Sequence, residues 1–331
     1  MRAVVCHRYG GPEVARIEDV PRPSPGDGDV LVRVVAASVN RTDCGVRMAK
    51  PWFARLFYGL RGPRQPILGS EFAGVVEQVG PYVGRFTVGD RVFGFGDEGM
   101  GGHAEYLVRP QDGMIAVIPE ALSFEQAAAA TEGAHYAGTT LRSTGVGEGS
   151  DVLVYGASGG IGSAAVQLAS HLGARVVAVC GTDAVDRVAA LGADRVVDYQ
   201  RDDFTAIGER FDLVFDAVGK TSFRACRPLL RADADFAVTD FGPGYQNPFL
   251  VVPTRFLPGP RVRFPIPRNT PESMALILDA LGDRYRPVID RTYDLDEIVE
   301  AYRYVETERK IGNVVLRVAP APDGEPGGAG G

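Results

Sequence analysis

The chain has 331 residues, room for roughly two domains at ~150 residues each, and its 45% hydrophobic and 23% charged content excludes a mostly disordered protein. Lys and Arg number 35 against 42 Asp and Glu, a formal net charge of −7. That argues against the basic domain a nucleic-acid footprint requires, although a local basic patch can hide inside an acidic average.

The first ~115 residues predict a small all-β unit. ARIEDV, DVLVRVVAASV, EFAGVVEQVG, GDRVFGF and HAEYLVRP are short apolar runs bounded by Gly, Pro and Asp. Residues 123–141 are Ala-rich and predict a helix, with Ser123 as N-cap before Glu125 and Gln126. From Asp151 strands alternate with helices: DVLVYGAS, helix GIGSAAVQLASHLG, RVVAVC, helix DAVDRVAALG, RVVDY, FDLVFDAVG and DADFAVTD. Apolar strands alternating with helices of ~10–15 residues imply βαβ units and a parallel sheet covered on both faces. After Arg261 the order is strand RVRFPI, helix PESMALILDALG, strand RPVIDRTY, helix LDEIVEAYRYVE and strand NVVLRVA. Residues 319–331 cannot bury apolar area and are expected to be disordered.

The four cysteines, Cys6, Cys44, Cys180 and Cys226, are scattered without a CxxC, as in a reduced cytoplasmic chain. MRAVVCHRYGG has no apolar core for a signal peptide, and no apolar run reaches the ~18 residues of a membrane span. Neither a membrane nor a nucleic-acid partner is expected.

The sharpest local signal is Tyr155-Gly156-Ala157-Ser158-Gly159-Gly160-Ile161-Gly162, which follows a strand and opens a helix. That is the context of a dinucleotide fingerprint. One glycine permits the tight turn, another the approach of backbone to a pyrophosphate, and Gly162 the close packing of helix on sheet. The helix N-terminus then offers free N–H groups to the phosphates. The second strand ends in Val179-Cys180-Gly181-Thr182 with no carboxylate for a ribose 2′-OH. Thr182 can donate to a 2′-phosphate, Tyr199 closes the next strand nearby, and Asp183 opposes an anion there. The reading is NADPH, with NADH as the alternative.

Four stretches in order carry a family likeness: Ala37 to Asp43, Pro66 to Gly74, Val88 to Gly94, and Gly156 to Gly162. The chain resembles the medium-chain dehydrogenase/reductase superfamily, and within it the zinc-free, quinone-oxidoreductase-like (zeta-crystallin-like) branch. The resemblance implies an α/β protein with a GroES-like β-barrel domain of residues 1–118 and 266–318. A Rossmann doubly wound parallel-sheet domain of residues 119–265 lies between, and the active site is expected in the cleft of the two. It also implies a homodimer.

By motif matching, the positions where zinc-dependent relatives place catalytic ligands hold Asn40, Ser70 and Glu132, and the four-Cys lobe of a structural zinc is missing. Asn and Ser are poor Zn²⁺ ligands, so no metal is expected. The resemblance then favours hydride delivery to a small conjugated acceptor, a quinone or an activated C=C. Asn40 either polarises the acceptor carbonyl or caps a turn. The Tyr that many relatives carry two residues after the motif Asp is Gly45 here, so Thr131, His135, Tyr136 or solvent must supply the proton. Asp43 is expected to anchor its turn and His103 to pack in the barrel. Residues 51–58, rich in aromatics, form either a lid over a flat acceptor or a helix packed on the barrel. Val218, Gly219, Thr239 and Phe241 follow two sheet strands and are expected beside the nicotinamide. The alternatives are a metal-free carbonyl reductase or alcohol dehydrogenase and, in a different class, a non-catalytic nucleotide-binding interaction or RNA-binding module.

Overall fold

Val, Leu and Ala crowd the run Asp29–Val39, and in the computed structural model, which describes residues 1–96 and 99–321, that run is one eleven-residue strand. In chain order the first part holds β1 (Arg2–Val5), β2 (Arg16–Asp19), β3 (Asp29–Val39), α1 (Arg41–Met48), α2 (Arg55–Tyr58), β4 (Glu71–Val79), β5 (Arg91–Phe95), β6 (Tyr106–Pro110), β7 (Ile115–Val117) and α3 (Phe124–Ala128). The middle holds α4 (Thr131–Thr144), β8 (Asp151–Tyr155), α5 (Gly160–His171), β9 (Arg175–Cys180), α6 (Val185–Ala189), β10 (Arg195–Asp198), β11 (Phe211–Asp216), α7 (Phe223–Cys226), β12 (Leu230–Val238), α8 (Asn247–Phe256) and β13 (Arg261–Arg263). The last part holds α9 (Pro271–Ala280), β14 (Ile289–Asp294), α10 (Ile298–Glu306) and β15 (Asn313–Arg317).

The chain divides into two compact units. One holds Met1–Thr131, Asn269–Leu276 and the chain from Val288; the other holds Glu132–Arg268 and Ile277–Pro287. In the first, a seven-stranded sheet runs β14-β15-β3-β4-β5-β7, with β6 also on β3. The late strand β15 lies antiparallel to β3, Val314 opposite Val39, so both ends of the chain build one core. Val32, Val34, Phe72, Leu107, Tyr302 and Leu316 fill it. Burying one such aliphatic or Phe side chain stabilises by about 1.5–3 kcal/mol.

In the second unit six parallel strands run β10-β9-β8-β11-β12-β13. The chain winds outward from β8 through β9 to β10, then restarts on the other side at β11. The carboxyl ends of β8 and β11 therefore flank the point where the order reverses, which is where open α/β sheets bind ligands. The amino ends carry a different chemistry. Arg195 and Arg175 meet Glu209 at 2.5 and 2.7 Å, Arg175 meets Asp151 at 2.5 Å, and Arg231 joins Asp151 to Asp212. Charges stitch the amino end of the sheet.

Several local expectations change. The helix expected over 123–141 is two helices. Ser123 caps α3 through a capping box with Gln126, but Ala129 O accepts from Asn313 Nδ2 at 3.2 Å and Thr131 N–H donates to Glu71 Oε1 at 3.0 Å. Tertiary partners replace helix bonds at the break. The Asn40 turn opens the eight-residue helix α1. The expected strand RVRFPI shortens to Arg261–Arg263, and α8 was not foreseen. The tail expected to be disordered from 319 is held at its start: Ala319 N–H donates to Val35 O at 3.4 Å, and Arg33 donates to Pro320 O at 3.0 Å. The rest of it, residues 322–331, lies outside the described residues.

Candidate functional site

The turn after β8 is built by steric limits on glycine. Gly156 has φ 77°, and the N–H groups of Gly156 and Ala157 both donate to Val179 O at 3.0 Å, fastening the turn to β9. A Cβ on Gly162 would lie 2.1 Å from Gly156 O, so only glycine lets α5 start this close to the strand. Gly159 is the N-cap of α5, in extended conformation, and a Cβ there would meet nothing nearer than 3.6 Å. Ser158, Gly160 and Ile161 complete the turn, half-buried. The first N–H groups of a twelve-residue helix thus start at a turn where Gly159 carries no side chain. On the neighbouring α4, a Cβ at Gly133 would lie 2.7 Å from Gly160 O, so α4 is pressed against this same turn. His135 and Tyr136 follow on α4. His135 is buried and Tyr136 is half-buried.

At the tip of β9 the structure corrects the role expected of Thr182. Its hydroxyl donates to Asp198 Oδ2 at 2.6 Å and its N–H to Gln200 Oε1 at 2.9 Å, so it is not a free donor for a 2′-phosphate. Asp198 was missed because it reads as the last residue of an apolar strand. It also accepts from Gln200 N–H at 3.0 Å and meets Arg201 at 3.4 Å. The Thr182 hydroxyl, foremost, with Gln200 N–H and Arg201, holds its carboxyl below the usual range. Gly181 sits against Tyr199, whose hydroxyl would be 3.3 Å from a Cβ there. Tyr199 is 51% exposed and the Arg201 side chain 73% exposed, while Asp183 points to solvent.

At the tip of β11 a second missed carboxylate organises the loop. Asp216 accepts the N–H groups of Val218 (3.1 Å), Gly219 (2.8 Å) and Thr221 (2.9 Å), with Lys220 at 3.4 Å. Burial pushes its pKa up, and these backbone donors oppose the shift. Gly219 has φ 67°, a conformation that suits glycine, and a Cβ there would strike Asp240 at 2.5 Å. Thr239 N–H donates to Asp216 O at 3.4 Å, and the Phe241 ring packs at 5.7 Å from Phe264. Val218 and Gly219 therefore close on the Asp216 carboxylate and Thr239 on its backbone oxygen, while Phe241 packs on Phe264.

The other unit holds a buried polar cluster. Asn40 caps α1 reciprocally with Asp43: Asp43 N–H donates to Asn40 Oδ1 at 3.0 Å and Asn40 N–H to Asp43 Oδ2 at 2.9 Å. Asn40 Nδ2 donates to Ser70 Oγ at 3.0 Å, with Ser38 Oγ at 3.5 Å. Ser70 N–H donates to Asp43 Oδ1 at 3.1 Å. Glu71 accepts from the Thr131 hydroxyl at 2.7 Å and from the Ser38 hydroxyl. Burial raises the Asp43 pKa, with His103 and the N–H groups of Asn40 and Ser70 opposing. His103 is fully buried: Nε2 donates to Ser38 O at 2.8 Å, and Nδ1 lies 3.2 Å from the Tyr302 hydroxyl. Asn40 is thus both a helix cap and the holder of one weakly engaged amide hydrogen. Thr131 is fully buried with its proton directed at Glu71.

Asn40 and Ser70, at two positions where zinc relatives are expected to carry ligands, bond to each other. Among the described residues no group of three His, Cys, Asp or Glu is placed to hold a metal ion. No described helix is long and apolar enough to cross a membrane.

Two family models match: the alcohol dehydrogenase GroES-like domain over residues 26–120 and the zinc-binding dehydrogenase over residues 191–316. A 2-methylene-furan-3-one reductase of Solanum lycopersicum is 31% identical over 332 residues, covering 97% of this chain and 80% of that protein. The solved quinone oxidoreductase of Coxiella burnetii superposes with a TM-score of 0.85 at 27% identity, covering 96% of this chain and 99% of that one. The mycobacterial Rv1454c, solved with NADPH, superposes with a TM-score of 0.79 at 28% identity, covering 96% and 100%. A glycine-rich turn at the reversal point of one unit's parallel sheet, in a chain whose other unit is built from both chain ends, is the signature of a nicotinamide-dependent oxidoreductase. The chain belongs to the medium-chain dehydrogenase/reductase superfamily, in its quinone-oxidoreductase-like branch.

Proposed function

We propose that this protein is a zinc-independent, NADPH-dependent reductase that delivers hydride to a quinone or to a C=C conjugated with a carbonyl. The observation that carries this is the donor set of the barrel unit. Where a Lewis acid would need soft or imidazole ligands, Asn40 and Ser70 instead present an amide and a hydroxyl to each other. Such a set cannot hold a metal to stabilise an alkoxide, but it can hydrogen-bond an oxygen on which charge develops. The reductase of Solanum lycopersicum and the quinone oxidoreductase of Coxiella burnetii support this substrate class by their names.

NADPH, when bound, supplies the hydride. The N–H groups of Gly160 to Gly162 receive the pyrophosphate, and Gly156 to Gly159 give it room. Gly181 and Tyr199 flank the ribose. Val218, Gly219, Thr239 and Phe241 orient the nicotinamide end. Asn40 turns its weakly held amide hydrogen to the acceptor carbonyl as negative charge moves there. One proton must follow the hydride, and Tyr136, half-buried where His135 and Thr131 are buried, is the residue we assign to it.

The 2′-phosphate is assigned to Tyr199, the exposed donor beside Gly181, and to Arg201, exposed two residues further on and paired with Asp198. Rv1454c, solved with NADPH, supports that cofactor. Asp183 and Asp198 oppose it, so we set the preference over NADH at about tenfold, or ~1.4 kcal/mol. We also propose a homodimer joined at the outer edge of β13, the last strand of the parallel sheet, which light scattering after gel filtration checks. Steady-state NADPH and NADH oxidation with quinones, enones and their saturated counterparts tests the activity. Conjugated acceptors should turn over far faster than saturated ones, and turnover of saturated carbonyls at equal rates would reject the assignment.

A further inference from the structure

Residues 50–64 form a loop that satisfies its own backbone. Ala54 N–H donates to Pro51 O at 2.8 Å, Gly59 N–H to Arg55 O at 3.0 Å and Arg64 N–H to Tyr58 O at 2.6 Å. The Tyr9 hydroxyl donates to Gly59 O at 2.7 Å and ties the loop to the chain's first turn. On this scaffold Trp52 is 74% exposed, Leu56 64%, Phe57 72% and Leu60 73%. The reading in which these aromatics pack on the barrel therefore fails for Trp52 and Phe57. Scattered exposed apolar residues are ordinary, but four such side chains between residues 52 and 60 mark an interaction surface.

The charge around the cluster names its partner. Between Asp43 and Glu71 the sequence has no acidic residue, while it has Arg47, Lys50, Arg55, Arg61 and Arg64, in a chain of net charge −7. Arg47 is buried and paired with Glu306. The other four are exposed, and among the described residues none of them forms an ion pair. Arg8, also exposed, joins them: its Cα would be 3.3 Å from a Cβ on Gly62. Glu18 approaches through His7, which it meets at 3.1 Å. A lid over a neutral acceptor needs the rings but not cations without ion pairs, of which Arg55 alone stacks on a ring, that of Tyr9. A nucleic acid needs the cations but not Leu56 and Leu60 in water. Rings and leucines at headgroup depth, flanked by Lys and Arg that reach lipid phosphates, match an anionic bilayer surface.

We propose that residues 50–64 dock this protein reversibly on an anionic lipid bilayer. The proposal does not depend on which acceptor is reduced. Each cation near such a surface adds ~5-fold in partitioning, and the attraction is screened by salt.

Trp52 is the only tryptophan, so its fluorescence reads this loop directly. The full chain is titrated with vesicles of phosphatidylcholine containing phosphatidylglycerol, and with phosphatidylcholine alone, and bound protein is measured by sedimentation. The expected result is a blue shift of Trp52 and co-sedimentation with the anionic vesicles, reversed by high salt and weak on neutral ones. Arg61→Glu/Arg64→Glu, which lie outside the proposed catalytic and cofactor residues, should lower binding at least ~25-fold while turnover of a water-soluble acceptor is kept. That kept turnover also shows that the variant is folded. No binding to anionic vesicles at low salt overturns the proposal, as does equal binding to both vesicle types. A Trp52 shift that follows protein concentration without lipid overturns it too, because a second copy then covers the loop.

Discussion

The Gly-rich turn after β8 and the Asn40 cluster serve the proposed reaction by opposite means. The turn works through what is missing: no side chain at Gly162 lets the helix approach, and none at Gly159 leaves room for a ligand. The cluster works through what is present, with amide, hydroxyl and carboxylate groups from Ser38, Asn40, Asp43, Ser70, Glu71 and Thr131 each holding another. A site made by backbone sterics tolerates little at one position and much at the next. A site made by side-chain contacts loses function in steps.

The largest effects should come from breaking the turn. Gly162→Ala puts a Cβ 2.1 Å from a carbonyl oxygen and should destabilise the fold by about 3 kcal/mol, read as a lower Tm. The Cβ of Gly159→Val meets only an ordinary 3.6 Å contact, so its Tm should fall far less than that of Gly162→Ala. Its NADPH affinity, followed by titration, should fall roughly 100-fold, or ~2.7 kcal/mol. Equal loss of stability in the two variants would show that the opening at Gly159 has no special role.

In the cluster, Asn40→Ala removes a helix cap, which costs about 1 kcal/mol, together with the proposed donor to the acceptor. Its kcat should fall roughly 100-fold, with NADPH binding unchanged. Asp43→Asn keeps the shape of the cap but weakens its acceptor, and should lower Tm with a much smaller change in kcat. If both variants lose stability and activity in the same proportion, the cluster is a structural cap only.

The turn was legible in the sequence because its parts sit within eight residues and each glycine answers to a local steric demand. The strands were legible for a similar reason, since parallel strands covered on both faces are apolar throughout. The cluster was legible only as isolated residues. Ser38, Ser70, Glu71 and Thr131 meet through contacts 27 to 60 residues apart, and no local pattern encodes them. Asp198 and Asp216 escaped notice because each ends an apolar strand, where a lone carboxylate looks like the start of a loop. Thr182 reads as a free donor in the sequence because its partner stands sixteen residues away. The acid-free run between Asp43 and Glu71 was visible in the sequence, but only exposure shows that its cations and rings share a surface.

A smaller, pH-dependent effect separates the two kinds of carboxylate. The Asp198 pKa is lowered in the fold, foremost by the Thr182 hydroxyl. Its stabilising contribution is therefore complete above the ordinary Asp value of about 4 and is lost as pH falls through the lowered one. The pKa values of Asp43 and Asp216 are raised by burial, so their ionisation opposes folding and protonation relieves it. Comparing Tm against pH for wild type and Asp198→Asn should show the wild-type advantage near neutrality vanish in acid. Asp198→Asn should also raise the preference for NADPH, because it removes a negative charge and loosens Thr182. An unchanged cofactor ratio would place the 2′-phosphate elsewhere.

The central claim is hydride transfer to a conjugated acceptor by side chains that need no metal. Its most direct test is kcat/KM for NADPH oxidation with an enone and with its saturated ketone, each measured with and without EDTA. The account predicts that the enone is favoured by roughly 100-fold or more, about 2.7 kcal/mol of transition-state stabilisation, and that EDTA changes neither value. Comparable turnover of the saturated ketone, or loss of enone reduction in EDTA, would contradict it.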